Sequence, residues 1–130
     1  MHLFTYGTLM FAEVWRQVVW RPFPSRRATL AGYAVYRVRD RVFPGMVRTG
    51  QADVVSGLIY SDLDEEAIWR LDDYESDFYE RLAVEATTDD GTRLVCQAYI
   101  VPDSKREVLA EAPWDADWFE QHDLASYLQR

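Results

Sequence analysis

Between Tyr79 and Val101 the chain reads strand, turn, strand. Alternating residues run from Tyr79-Glu80-Arg81 to Thr88, the turn set Asp89-Asp90-Gly91-Thr92 follows, and Arg93 to Val101 restarts the alternation before Pro102 ends pairing. An Asp-Gly turn between two such runs closes an antiparallel hairpin, because glycine supplies the positive φ that a tight turn needs. A chain with this hairpin must bury one face of a sheet, so the remaining segments are read as its partners or its cover. Leu3-Phe4-Thr5-Tyr6 is a short strand ending at Gly7, Ala28 to Arg39 is strand-like with Gly32 inside it, and Val54 to Tyr60 is another strand with Gly57 inside. Glycines within strands mark bulges, tight bends and strong curvature. The expected class is α+β, a small mixed, mostly antiparallel β-barrel flanked by a few helices. With no linker, repeat or βαβ rhythm, residues 1–130 read as one domain.

Three helices are expected. Phe11, Val14, Trp15, Val18 and Val19 recur at helical spacing before Pro22 and Pro24. Trp118, Phe119, Leu124, Tyr127 and Leu128 give a terminal amphipathic helix over Trp114 to Leu128, and Ser104 to Pro113 reads as charged and irregular. Phe43-Pro44-Gly45-Met46-Val47 puts Pro-Gly inside an apolar run, which forces a turn or kink beside a short strand and serves as a corner or a pocket lining.

The third helix carries the feature of most chemical interest. Asp62 or Asp64 caps it and Glu65 and Glu66 occupy its first turn, where the helix dipole favours them. Its other end holds Asp72, Asp73 and Glu75, where the dipole opposes negative charge and pushes carboxyl pKa values upward. Ile68, Leu71 and Glu75 share one stripe, so a carboxylate stands where an apolar side chain is expected. A carboxylate turned inward without a partner raises its pKa or performs chemistry. The alternative is an acidic, solvated helix end.

Several classes are excluded or disfavoured by composition. Fourteen Lys and Arg against 22 Asp and Glu give a net charge of −8. No basic block tracks a phosphate backbone, and the arginines at 26, 27, 37 and 39 read as a solvated sheet face, so no nucleic-acid partner is expected. Apolar runs fall short of the ~20 residues a membrane span requires. The start at Met1-His2-Leu3-Phe4 lacks the basic region of a signal peptide, which leads to the expectation of a cytoplasmic protein without a membrane partner. Cys96 lies in an apolar strand pattern and reads as core, and His2 and His122 are too isolated to suggest a metal cluster.

Tyr6-Gly7-Thr8-Leu9 after the first strand, Phe43-Pro44-Gly45 in the middle, and Leu71-Asp72-Asp73-Tyr74-Glu75 followed by Tyr79-Glu80-Arg81 together resemble the γ-glutamylcyclotransferase-like family, which includes γ-glutamylamine cyclotransferases and AIG2-like proteins. The resemblance runs from Tyr6 through Tyr99. It implies a pocket on a small β-barrel, with the amides of Gly7, Thr8 and Leu9 holding substrate and Glu75 as the catalytic glutamate. It further implies a small γ-glutamyl substrate, closure to 5-oxoproline with release of an amine, and no cofactor or metal. Tyr6, Pro44, Gly45, Tyr79 and Arg81 are carried over as substrate-binding candidates, although Arg81 can equally make a structural ion pair and Tyr6 and Tyr99 can equally fill the barrel. Phe43 departs from relatives that carry tyrosine before the proline, which removes any hydroxyl contact there. A binding module that keeps the fold and pocket without catalysis is the alternative function, and a pure interaction protein is a third.

Overall fold

The computed structural model describes residues 1–50 and 52–129. Five strands, β1 (Leu3–Thr5), β5 (Val54–Tyr60), β2 (Ser25–Ala31), β6 (Glu80–Thr88) and β7 (Arg93–Ile100), form a closed barrel in that spatial order. All neighbours are antiparallel except β1 and β7, which run parallel with Leu3 opposite Gln97. The Gln97 N–H donates to the His2 carbonyl at 2.8 Å, so the barrel closes through the shortest of its strands. The expected hairpin is present, with β6 and β7 in register from Glu80 opposite Ile100 to Thr87 opposite Arg93.

Two apolar layers follow from the alternation of side chains along the strands. Phe4, Leu30, Val55, Ile59, Val84, Cys96, Ala98 and Ile100 point into the barrel and are buried there. Leu3, Tyr60 and Tyr99, one residue out of phase, point outward into a second core. That core is completed by Val14, Trp15 and Val19 of α1 (Ala12–Val19) and by Ala67, Ile68 and Leu71 of α2 (Glu65–Tyr74). Of the glycines, Gly57 has the least room for a side chain. A Cβ there would lie 2.1 Å from the Thr5 carbonyl oxygen and 2.9 Å from Phe4 Cζ.

Four expectations are corrected. The strand expected from Ala28 to Arg39 is two strands: at Gly32, with φ of +86°, the chain leaves β2 and begins β3 (Tyr33–Val38) in a separate three-stranded sheet. That sheet has the order β4, β3, β8. Pro44-Gly45 makes no turn but opens β4 (Pro44–Arg48), buried along its first four residues. A strand's first position tolerates proline because the ladder does not require its missing N–H. The reversal lies earlier, where Asp40 has φ of +60° and Val38 N–H donates to the Phe43 carbonyl.

The segment read as irregular holds a 3-10 stretch, Asp103–Val108, and then β8 (Leu109–Pro113), an edge strand whose pairing with β3 shifts register between Tyr36 and Val38. Five residues with one buried side chain carry too little alternation to be read as a strand. The terminal helix is broken at Asp123 into α3 (Ala116–His122) and α4 (Leu124–Leu128). Phe119, Leu124 and Tyr127 face the core as expected, whereas Trp118 is 59% exposed and stacks on His122.

The packing at Gly57 gives a direct test. Gly57→Ala drives a methyl into a backbone carbonyl that the barrel holds on both sides, and is expected to lower stability by about 3 kcal/mol or more in denaturant unfolding.

Candidate active site

α2 is capped at its start by Asp64, whose carboxylate accepts the Ala67 N–H at 2.9 Å. Leu71 seats the helix fully buried in the outer core. The helix ends at Tyr74. Glu75 is extended, with φ of −75° and ψ of 147°, while its N–H still donates to the Leu71 carbonyl at 3.1 Å. Glu75 is therefore the cap of α2 and not part of its last turn, and it lines a cavity of about 100 Å³ between the helix layer and the barrel end.

The end of β1 and the residues that follow, Phe4 to Leu9, form one wall of this cavity. Phe43 and Pro44 form another, Tyr74, Glu75, Ser76 and Tyr79 a third, and Tyr99 and Tyr127 complete it. Thr8–Met10 is a single 3-10 turn with Gly7 as its cap. The Met10 and Phe11 N–H groups bond back to the Gly7 and Thr8 carbonyls at 3.0 and 3.1 Å, whereas the amides at the start of such a turn have no carbonyl within it to meet. Position 7 favours glycine because a Cβ there would approach Pro44 Cγ to 2.7 Å. The turn and β4 are thus packed backbone against ring.

Tyrosine hydroxyls fix the surrounding walls to one another. Tyr6 donates to the Tyr99 carbonyl at 2.7 Å and accepts the Met46 N–H at 3.3 Å, joining β1, β7 and β4. Tyr79 donates to the Pro44 carbonyl. Thr8 Oγ1 and the Tyr74 hydroxyl are 2.8 Å apart, and Tyr74 also hydrogen-bonds the hydroxyl of Tyr127, bringing α4 to the cavity. Burial pushes the phenols of Tyr6 and Tyr79 well above their ordinary pKa of 10, and Tyr74 and Tyr99 move the same way, so all four stay neutral.

Glu75 stands in contrast to its neighbours. Among the described residues no hydrogen bond or ion pair to its carboxyl group is found, and the side chain is half-buried, so its oxygens face the open space of the cavity. Burial first, and the negative charge of Asp72 second, push its pKa from 4.5 up to about 8. The carboxyl is consequently poised to gain or lose a proton near neutrality, in a cavity otherwise walled by apolar groups, neutral hydroxyls and backbone amides.

Tyr6, Gly7, Thr8, Leu9, Pro44, Glu75 and Tyr79, all singled out in the sequence, line this one cavity. Gly45 and Arg81 do not. Gly45 lies behind the wall, where an added Cβ would meet Val101 and Leu109. Arg81 is engaged with Asp72, Nε to Oδ1 at 2.9 Å. Phe43 makes an apolar wall and stacks at 6.4 Å on Phe78. Sequence reasoning did not select Tyr74 or Ser76, and placed Tyr127 in the core. The available signal for Tyr127 was its hydroxyl on an otherwise apolar stripe, which needs a partner once buried. Among the described residues no three His, Cys, Asp or Glu side chains converge to hold a metal ion, and no helix is long and apolar enough to cross a membrane.

This arrangement has counterparts in known proteins. AIG2-like protein C of Arabidopsis thaliana is 28% identical over 127 residues, covering 97% of this chain and 73% of that protein. A solution structure of an Arabidopsis thaliana protein superposes with a TM-score of 0.75 at 20% identity, covering 98% of this chain and 77% of that one. A solved structure described as a gamma-glutamyl cyclotransferase superposes at 0.65 and 17% identity, covering 77% of this chain and 65% of that one. At such identities the superpositions establish the fold alone. The model for the family "Gamma-glutamyl cyclotransferase, AIG2-like" matches residues 3–119, which span the barrel and every cavity wall except Tyr127, and the chain belongs to that family.

Proposed function

We propose that the protein is an enzyme that cyclises a γ-glutamyl amine or γ-glutamyl amino acid to 5-oxoproline and releases the amine, with Glu75 as the proton carrier. The observation that carries this reading is the carboxyl of Glu75, raised to about 8 and unpaired, in a cavity shared with the turn amides of Gly7, Thr8 and Leu9. Family membership and the gamma-glutamyl cyclotransferase among the structural neighbours support the reaction class.

The chemistry needs little beyond what these residues offer. A γ-glutamyl amide carries its own nucleophile, the α-amino group, and a cavity that holds it folded makes the attack intramolecular, which can contribute several kcal/mol or more. The amine arrives as an ammonium, its reference pKa being about 8. Ionised Glu75 takes that proton, and the free amine attacks the γ-carbonyl carbon. The negative charge developing on oxygen is met by backbone N–H groups, which serve without a cation. The bond from the γ-carbon to the leaving nitrogen then breaks as Glu75 returns the proton to that nitrogen, and the ring nitrogen, which still carries two hydrogens, gives one of them through Glu75 to the released amine, so the products are 5-oxoproline and an ammonium. A donor and acceptor both near 8 exchange a proton at little energetic cost, and such general acid–base work typically contributes about 10²–10⁴-fold.

Incubation of the purified protein with a panel of γ-glutamyl amines and γ-glutamyl amino acids, read by mass spectrometry, is expected to yield 5-oxoproline from at least one. Turnover of none, combined with a ligand-induced rise in Tm, would instead favour a binding module. Glu75→Gln is expected to reduce turnover by about 10²-fold or more while leaving the protein folded. The pH dependence of kcat/KM should be a narrow bell, rising as Glu75 ionises toward about 8 and falling as the substrate ammonium is lost.

The same carboxyl makes a prediction about stability. With a folded pKa of about 8 against an ordinary 4.5, the folded protein holds a proton that the unfolded chain releases between those values, so stability falls as pH rises through that window. Glu75→Gln removes the penalty. Its thermal melt should match that of the parent near pH 4.5 and exceed it at pH 8, by on the order of 2 kcal/mol. Equal melts at both pH values would show that the carboxyl is not held neutral by its surroundings.

A further inference from the structure

We propose that Asp72 is a positioning residue for Glu75, pinned by Arg81 and Tyr99 so that the end of α2 is fixed to the barrel and a balanced pair of charges stands beside the cavity carboxyl. The inference rests on the reading of Glu75 as the proton carrier, and it assigns Arg81 a task outside the substrate pocket.

The geometry begins in the hairpin. Arg81 of β6 and Tyr99 of β7 are directly opposite each other in register, and both reach across to the same carboxylate. Arg81 donates through Nε to Asp72 Oδ1 at 2.9 Å and through Nη2 to Oδ2 at 3.3 Å, a two-pronged contact that fixes the plane of the carboxylate. The Tyr99 hydroxyl donates to Oδ1 at 2.6 Å, and Arg81 Nη1 is held in turn by Gln97 Oε1 at 3.2 Å. Three donors from two strands therefore converge on a helix residue three positions before Glu75.

As a stabilising device this pair is poorly sited. The side chains of Asp72 and Arg81 are 43% and 27% exposed, and ion pairs of that kind contribute little. Asp72 also sits at the helix end that disfavours an anion. Its location relative to the cavity accounts for it better. The groups lining the cavity with Glu75 are residues 4–9 at the end of β1 and after it, Phe43 and Pro44 at the start of β4, Tyr74 on α2, Ser76 and Tyr79 beyond it, Tyr99 on β7 and Tyr127 on α4. None of these is charged near neutrality. Asp72 is the charge that acts on Glu75, and Arg81 is the cation paired with Asp72.

Opposite consequences follow from removing the two charges. Asp72→Asn deletes the repelling anion and leaves the Arg81 cation uncompensated, so Glu75 should ionise at lower pH. Arg81→Gln leaves Asp72 uncompensated, so Glu75 should ionise at higher pH. A clamp that was merely structural would loosen in both variants and move Glu75 the same way in each.

The experiment is a ¹³C NMR titration of the Glu75 side-chain carboxyl in the full chain, assigned by its disappearance in Glu75→Gln, with thermal melts recorded for each variant. A downward shift of about one pH unit in Asp72→Asn and an upward shift in Arg81→Gln support the proposal, and the acid limb of kcat/KM should move in the same directions. Tyr99→Phe, which keeps both charges, should shift Glu75 less than either. Shifts of the same sign in the two charge variants, or none above about 0.3 pH unit, overturn it. If Asp72→Asn does not fold, the Arg81→Gln titration decides alone, since only an upward shift is consistent with a balanced pair. The titration needs no turnover. A protein that cyclises nothing in the panel yet gives the opposed shifts would sink the catalytic reading of Glu75 and leave the electrostatic assignment standing.

Discussion

The arrangement depends on one short strand being held from both sides. β1 has three residues, all buried, and it is inserted between β5 and β7. Its antiparallel pairing fixes Thr5 opposite Leu58, and its parallel edge meets β7 at Gln97. Because the strand is so short, the chain leaves the sheet at Tyr6, and the next four residues are free to form the cavity's turn. Gly57 permits this insertion by leaving room for the Thr5 carbonyl, and Gly7 permits the exit by leaving room for Pro44. A longer β1 would carry the turn amides past the cavity.

Much of this organisation was legible in the sequence, for identifiable reasons. The β6–β7 hairpin, β1, β5, α1 and α2 each carry a local signal: a turn set, a period of two or 3.6, or a cap. Cys96 is buried in the barrel, as its apolar strand context implied. What was not legible depends on tertiary partners. The division of Ala28 to Arg39 between two sheets is set by what β2 and β3 pair with, and neither run changes composition at Gly32. Pro44-Gly45 looked like a turn because proline and glycine usually punctuate. Here proline is a strand's first residue and glycine a close-packing position. At the site, Glu75 stood out because a carboxylate on an apolar stripe is anomalous, whereas Tyr74 and Tyr127 resembled ordinary core aromatics and reveal themselves only through their hydroxyl partners.

The cavity also shows how a carboxyl can be made reactive without a special partner. Its walls are rich in hydroxyls, yet three of the phenols donate elsewhere: Tyr6 to the Tyr99 carbonyl, Tyr79 to the Pro44 carbonyl, Tyr99 to Asp72. A phenol already donating to another oxygen cannot also donate to Glu75, so these three do not stabilise its carboxylate. The tyrosines stiffen the walls, while burial and the nearby Asp72 keep the carboxyl's proton affinity high.

The parallel closure of the barrel has a further consequence for how the protein is made. Each antiparallel contact of the hairpin joins residues near in sequence, whereas β1 meets β5 more than fifty positions later and β7 more than ninety later. Pairing across such separations is slow, because a long loop must be closed before any contact repays it. During synthesis the Tyr6–Leu9 segment therefore emerges long before the strands that will hold it, and Tyr127, which lines the same cavity, emerges after them. The cavity is bounded by the earliest and latest of these segments, so it is among the last parts of the molecule to exist.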